Sequence, residues 1–413
     1  MPDLDGELGR LRDRLYESVS QPGFPEVARR SRQRISRRRR QLGAAAVVLL
    51  IGAAIPLLRI TTEPPSGGGG GAASVAGDAP SGEYVGDIDF VDDTTGYAIR
   101  HYCQQNGHCS ATLLFTGGFE PWAVNQLPAS LRDRSGGLGL QVLGPRRLVV
   151  YERAAGAGGK RWYSGDNGRS WQEVPTTVED SVDTIRPGTV LDDVCDTADC
   201  GRTSVVVTLP YSGRLARLTS QPPLDRMVLD RVSAAVDGSW WVSGLVPDAG
   251  RWALAVSRDA GRSWSDTELP DHEGEPFAEV RVSVGPDAVY AVGVGRVGPE
   301  DEDGLIAIFR SADGGRSWAQ TWRADGVRYP RTIGGAAVAA ADGSLTVYSA
   351  AGVPYASSDG GRSFTPITPA GPTEHAFAPR WTRGGYLAAK GAPLSIAYRQ
   401  SRDGVSWREF AVQ

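Results

Sequence analysis

Histidine is scarce in this chain, with four in 413 residues, a poor endowment for acid–base or metal chemistry near neutral pH. Lysine is scarcer still: only Lys160 and Lys390 stand against 42 arginines. With the excess of alanine and glycine, that balance has the composition of a high-GC, actinobacterial genome. There is no nucleophile elbow, no phosphate-cradling glycine loop and no histidine-rich metal motif. No cofactor or metal is therefore expected. Beyond residue 41 the chain carries 33 basic residues against 42 acidic ones, which argues against a nucleic-acid or other polyanion partner. Long uncharged runs are also rare, and the exception is informative.

That exception is Leu42–Leu58, which holds no charged residue and is bracketed by Arg40 and Arg59. It stands at the short end of what spans a bilayer core. The first 41 residues hold 11 arginines and 6 acidic residues, and an arginine excess on one side of a span marks the cytoplasmic side. The basic leader is long for a cleaved signal peptide, and no small-residue cleavage site follows at once. We therefore expect residues 1–41 to be a cytoplasmic tail, 42–60 a transmembrane helix, 61–81 a Gly/Pro-rich linker and 82–413 an external domain. Within the tail, Leu4, Leu8, Leu11, Leu15 and Val19 recur on one helical face, suited to a cytoplasmic partner or to lipid.

Four cysteines form two close pairs on the expected external side, Cys103 with Cys109 and Cys195 with Cys200. Such pairs oxidise outside the cytoplasm, and loops this short give roughly 2 kcal/mol each by loop-closure entropy. The alternative is a metal site built on His101, Cys103, His108 and Cys109. The second pair, which has no histidine beside it, favours disulfides.

The external domain writes one phrase five times. It runs Ser164, Asp166, Gly168, Trp171; then Ser257, Asp259, Gly261, Trp264; then Ser311, Asp313, Gly315, Trp318. The fourth copy is Ser358-Asp359-Gly360-Gly361-Arg362-Ser363-Phe364, and the fifth holds Ser401, Asp403 and Trp407. A recurrence at this spacing marks an array of one supersecondary unit. Aspartate accepts from backbone amides two residues on, and glycine supplies positive φ, so each copy reads as a tight turn between strands. The closing aromatic is a wedge between sheets.

The interval from Asp166 to Asp259 is about twice the others, so one copy has decayed there. Leu215–Leu224, with Pro222 and Pro223 at the turn, is the first candidate for it, and Tyr211–Gly213 is the second. Gly117–Trp122 is a decayed copy at the start. Seven units result, closing near Trp122, Trp171, residue 222, Trp264, Trp318, Phe364 and Trp407. The expected fold is all-β: a seven-bladed β-propeller of four-stranded antiparallel blades, preceded by a single transmembrane helix.

The phrase resembles the Asp-box, or BNR, repeat of the sialidase-like superfamily. That resemblance implies a turn between the third and fourth strands of each blade, with ligands bound on the opposite face and around the channel. It is shared by hydrolases and by non-catalytic binding proteins. Sialidases clamp a carboxylate with three arginines, the first in an Arg-Ile-Pro motif, and use a tyrosine nucleophile activated by glutamate. No Arg-Ile-Pro occurs here; Ile185-Arg186-Pro187 and Tyr329-Pro330-Arg331 are out of place. The carboxylates Asp87, Asp89, Asp92, Asp93, Glu152, Asp192 and Asp193 cannot be paired across blades from sequence. The acidic run Glu300–Asp303 lacks the alternate spacing of a calcium loop. We assign no catalytic residue. The expected function is a membrane-anchored, non-catalytic recognition or assembly module for a protein or glycan, with a sialidase-like glycoside hydrolase acting on external glycans as the alternative.

Overall fold

The computed structural model describes residues 82–413 apart from segments 106–107, 119–120, 134–136, 154–158, 197–201, 230–232, 273–275, 297–302, 325–335, 349–352, 368–375 and 391–394. The expected tail, span and linker lie outside the described residues. Among those described, no helix is long and apolar enough to cross a membrane.

Twenty-eight strands form seven four-stranded sheets. Blade 1 is β1 (Gly82–Phe90), β2 (Gly96–Cys103), β3 (Cys109–Thr116) and β4 (Ala123–Asn125). Blade 2 is β5 (Leu138–Gly144), β6 (Arg147–Glu152), β7 (Arg161–Ser164) and β8 (Gln172–Val174). Blade 3 holds β9 (Asp180–Val182), β10 (Val190–Cys195), β11 (Thr203–Thr208) and β12 (Leu215–Leu218). Blade 4 is β13 (Asp225–Val228), β14 (Trp240–Leu245), β15 (Trp252–Ser257) and β16 (Ser265–Glu268). Blade 5 is β17 (Glu279–Val284), β18 (Val289–Arg296), β19 (Asp303–Ser311) and β20 (Ala319–Arg323). Blade 6 is β21 (Ala337–Ala339), β22 (Leu345–Tyr348), β23 (Pro354–Ser357) and β24 (Thr365–Pro366). Blade 7 is β25 (Ala376–Thr382), β26 (Gly385–Lys390), β27 (Ala397–Ser401) and β28 (Arg408–Ala411).

Central strands are buried on both faces because each blade is sandwiched between two others. β11 shows this in Val205, Val206 and Val207, all fully buried, a continuous β-branched run rather than an alternation. Every seam has its own apolar cluster, and the clusters differ in size. Blades 4 and 5 share Trp241, Leu254, Val282, Phe309 and Trp318. Blades 2 and 3 share only Leu143, Val149 and Val190 at full burial.

Blade 3 departs from the expected pattern. Its sheet order is β10-β11-β12-β9, so the outer strand comes first in sequence and pairs parallel with β12, Leu218 opposite Val182. The other six blades are antiparallel throughout. The contacts of β10 with β5 run backwards: Asp192 meets Gln141, while Gly188 and Val190 lie beside Leu143. Between β1 and β5 they run forwards, Asp87 to Leu140 and Asp89 to Val142. The inner strand of blade 3 is therefore reversed. Having placed its outer strand first, the chain has three strands left, and three carry it to the end where β13 must begin. A turn after β12 would deliver it to the wrong face, and Pro222 and Pro223 stand where that turn would be. The stretch Leu215–Leu224 therefore carries no such turn: β12 ends at Leu218 and the chain leads through the prolines to β13. Tyr211 belongs instead to the β11–β12 turn, where Gly213 N–H donates to the Leu209 carbonyl.

Each blade is contiguous in sequence, so no strand from one terminus completes a blade at the other. Blade 7 meets blade 1 through Ile88, Phe90, Leu114 and Trp122 against Leu387, Tyr398, Phe410 and Val412. Phe410 is the centre of that seam, stacked on Trp122 at 6.3 Å and edge-on to Phe90 at 5.5 Å. Truncating it removes a buried aromatic at the only junction the chain does not cross. Phe410→Ala is expected to cost about 3–5 kcal/mol in urea unfolding, whereas Val405→Ala, 49% exposed, should stay within about 0.5 kcal/mol.

Candidate functional site

The five intact copies are all turns between the third and fourth strands of their blades. In blade 2 the Ser164 hydroxyl donates to Asp166 Oδ1 at 2.8 Å and accepts from Gly168 N–H at 2.8 Å. Asp166 in turn accepts from the Arg169 and Ser170 amides and, at 2.6 Å, from the Ser170 hydroxyl. Blades 4 and 5 repeat the clamp through Ser257, Asp259, Gly261 and Ser263, and through Ser311, Asp313, Gly315 and Ser317. In blade 6 the clamping hydroxyl belongs to Ser357, not Ser358, donating to Asp359 at 2.7 Å and accepting from Gly361 N–H. The residue two before the aspartate was the signal, and it was in frame. The blade 7 copy is one residue shorter: Asp403 accepts from Val405 and Ser406, and Gly404 N–H bonds Ser401.

These turns are structural. Gly315 has φ +91°, and a Cβ there would overlap the Trp241 ring of blade 4. Trp171 and Trp264 donate their indole N–H groups to Gln126 and Ser220 carbonyls of the preceding blades. Trp318 is buried edge-on against Trp241 at 6.3 Å.

The turns share one end of the channel with the hairpin between β25 and β26. That hairpin crosses the axis: Arg383 Nη2 donates to Thr189 O of blade 3 at 2.8 Å, and Trp381 Nε1 to Ala234 O of blade 4 at 2.9 Å.

Inside, the inner strands present free edges, whose amides need partners. Asp87 and Asp89 accept from Leu140 and Val142 N–H at 2.9 and 3.4 Å. Asp87 also holds Arg153 at 2.5 Å and Arg380 at 3.0 Å. Desolvation pushes the Asp89 carboxyl up, opposed by the charges of Arg380 and Arg383. Between blades 2 and 3 a polar cluster replaces apolar packing: Arg161 bonds Asp192 at 3.3 Å and Gln141 and Thr208 at 2.9 Å. Burial pushes the Tyr398 hydroxyl up to about 12 and raises that of Tyr151. Of the carboxylates that the sequence leaves unpaired, Asp87 and Asp89 are thus built into this network, while Asp92 caps its own turn through Thr94 and Thr95 amides.

A cleft of about 600 Å³ opens between blades 4 and 5, on the face opposite the turns. Its lining includes Arg226, Trp252, Leu269, Asp271, His272 and Phe277. Trp252 Nε1 donates to Phe277 O across the seam at 3.2 Å. The His272 ring stacks on Phe277 at 4.8 Å, and Phe277 fills the space a Cβ on Gly293 would take. Nothing in the sequence marks Arg226, Trp252 or Phe277 as neighbours, since two blades and a turn must fold before they meet.

Cys103 and Cys109 face each other across β2 and β3 and are disulfide-bonded, Cα atoms 4.0 Å apart, so the metal alternative for these cysteines falls. His101 is buried and stacks on Tyr84 at 5.0 Å. Cys195 is also disulfide-bonded; Cys200, its expected partner, lies outside the described residues.

No family model matches the chain, and no curated protein does. Among solved structures it is similar to YCF48 bound to D1 peptide, at 14% identity over 80% of this chain and 83% of that one, TM-score 0.30. It is also similar to the β-propeller domain of the Trilobed protease from Pyrococcus furiosus, at 10% identity over 80% and 95%, TM-score 0.41. An ancestral GH74 enzyme gives 11% identity over 81% of this chain and 47% of its own, TM-score 0.44. Likenesses of this size transfer neither ligand nor activity; the fold rests on the strand pairings above.

The clamps have a pH signature. The hydroxyl and amide of Ser263 and the Ser257 hydroxyl hold Asp259 down to about 2. Burial acts upward on Asp166, but the Ser170 hydroxyl and amide outweigh it and hold that carboxyl down to about 2. A carboxylate depressed on folding contributes stability above its unfolded value and loses it as pH falls through the folded one. The clamps' contribution to stability should therefore be flat above about pH 4 and lost towards pH 2, and Asp259→Asn should flatten that acid fall in acid-titrated urea melts.

Proposed function

We propose that this chain is an extracytoplasmic, Asp-box-type propeller of the sialidase-like superfamily that recognises a ligand without turning it over. In this reading the helix at 42–60 anchors it to the membrane, with residues 1–41 in the cytoplasm. The observation that carries the non-catalytic reading is the state of the channel arginines. Arg153 and Arg380 converge, as a carboxylate clamp would need, but their charges are spent on Asp87. A substrate carboxylate would have to displace a buried internal one. The tyrosines there have hydroxyls pushed up, the opposite of an activated nucleophile. The cleft on the far face, by contrast, is open and combines aromatic and apolar side chains with a few polar ones, as binding sites do.

One residue favours the hydrolase. Desolvation and the neighbouring charge of Asp192 push the Asp193 carboxyl up, as a general acid requires. A panel of fluorogenic glycosides, sialosides included, decides between the two. The full-length chain is expected to show no turnover, and turnover abolished by Asp193→Asn or Asp89→Asn would establish the enzyme instead. For the anchor, a periplasmic-type phosphatase reporter at the C-terminus should be active and one fused at residue 41 inactive. The reverse pattern, or a chain recovered wholly in the soluble fraction, would remove the membrane from this proposal.

A further inference from the structure

Arg226 is an exposed arginine for which the fold has no use. Among the described residues it has no ion-pair or hydrogen-bond partner, whereas its neighbour Arg251 pairs with Glu268 at 2.6 Å and Arg281 with Glu279 at 2.8 Å. Its backbone is left-handed, φ +44°, a conformation glycine takes freely and other residues seldom do. It sits at the bulge where the register of β13 on β14 shifts between Asp225 and Val228. The next residue, Met227, is buried, with its N–H on Thr203 Oγ of blade 3 at 3.0 Å. Packing thus anchors Met227, while Arg226 beside it lines the cleft between blades 4 and 5.

We propose that this cleft binds a peptide segment in which a carboxylate adjoins an apolar or aromatic side chain. The carboxylate lies on Arg226 and the side chain against Trp252 and Phe277. The inference deepens the recognition reading above and rests on it. Charge complementarity comes from the one unpaired guanidinium, which takes a carboxylate through two parallel hydrogen bonds. The lining is mixed: Leu245, Leu269, Pro270 and Pro276 join the two aromatics, and Arg251, Asp271 and His272 stand among them. A neutral glycan is the poorer fit, because it offers the guanidinium no opposite charge. Asp271, exposed at the rim and also without a partner, suits the N–H donors of a peptide backbone. The volume of about 600 Å³ lies within the range of small-ligand sites and accommodates a few residues.

The test is fluorescence anisotropy on the full-length chain in detergent micelles, with N-terminally labelled hexapeptides in neutral pairs. One pair ends in phenylalanine as free acid or amide; the other is amidated and carries an internal Asp-Phe or Asn-Phe. At least one carboxylate peptide should bind about tenfold or more tighter than its neutral twin, in keeping with a charge-assisted hydrogen bond. Which pair discriminates tells a chain terminus from an acidic side chain. Arg226→Gly should abolish the preference while melting at the wild-type temperature or above, because glycine accepts the left-handed backbone. Twins that bind alike, no binding at millimolar peptide, or a preference that survives Arg226→Gly would each overturn the proposal. None of those results would touch the recognition reading, which falls only to glycoside turnover.

Discussion

A serine hydroxyl and an aspartate carboxylate, closed over a left-handed glycine, set how near each blade lies to the one before it. The carboxylate gathers two amides and a hydroxyl, so the turn is rigid without being buried. The glycine inside it then meets the preceding blade directly, as Gly315 meets Trp241 and Gly168 meets Leu113. Any side chain there would separate the sheets. The seam clusters depend on that approach, and the aromatic that ends each turn fills what remains.

Two blades lack the clamp and solve it differently: blade 1 keeps the order β1-β2-β3-β4, while in blade 3 the outer strand is laid down first and the inner strand runs in reverse. The seam with blade 2 is correspondingly different. Instead of a broad apolar cluster, it holds Arg161, Asp192, Gln141 and Thr208 in mutual hydrogen bonds. Buried polar networks of this kind fix geometry more than they add stability, and here the network fixes the position of a blade that enters against the direction of the ring.

Two sets of arginines are distinguished by their partners rather than by their place in the ring. Those in the channel bond carboxylates and carbonyls of other blades and so close the ring from within; Arg383, reaching from blade 7 to Thr189, is the longest of these ties. Arg226 does none of this. An unpaired charge at an open cleft is available to something outside the molecule, whereas a paired one must first lose what it already holds.

The repeat was legible because every copy must make the same turn, and a turn constrains residue type locally: an acceptor, a glycine, an aromatic, at set distances. Blade number followed from spacing alone, and Ser357 was within reach of the same frame. The reversal of blade 3 was not legible, since the prolines at 222 and 223 announce a lost turn without saying which strand replaces its product. The cleft was invisible for a related reason. Arg226, Trp252 and Phe277 come from a bulge, a hairpin and an inter-blade crossing, and their proximity exists only once blades 4 and 5 pack. Local hydrogen-bond chemistry writes itself into sequence periodicity; which charges find partners across seams is settled by the packing of distant segments, and on that packing the binding face depends.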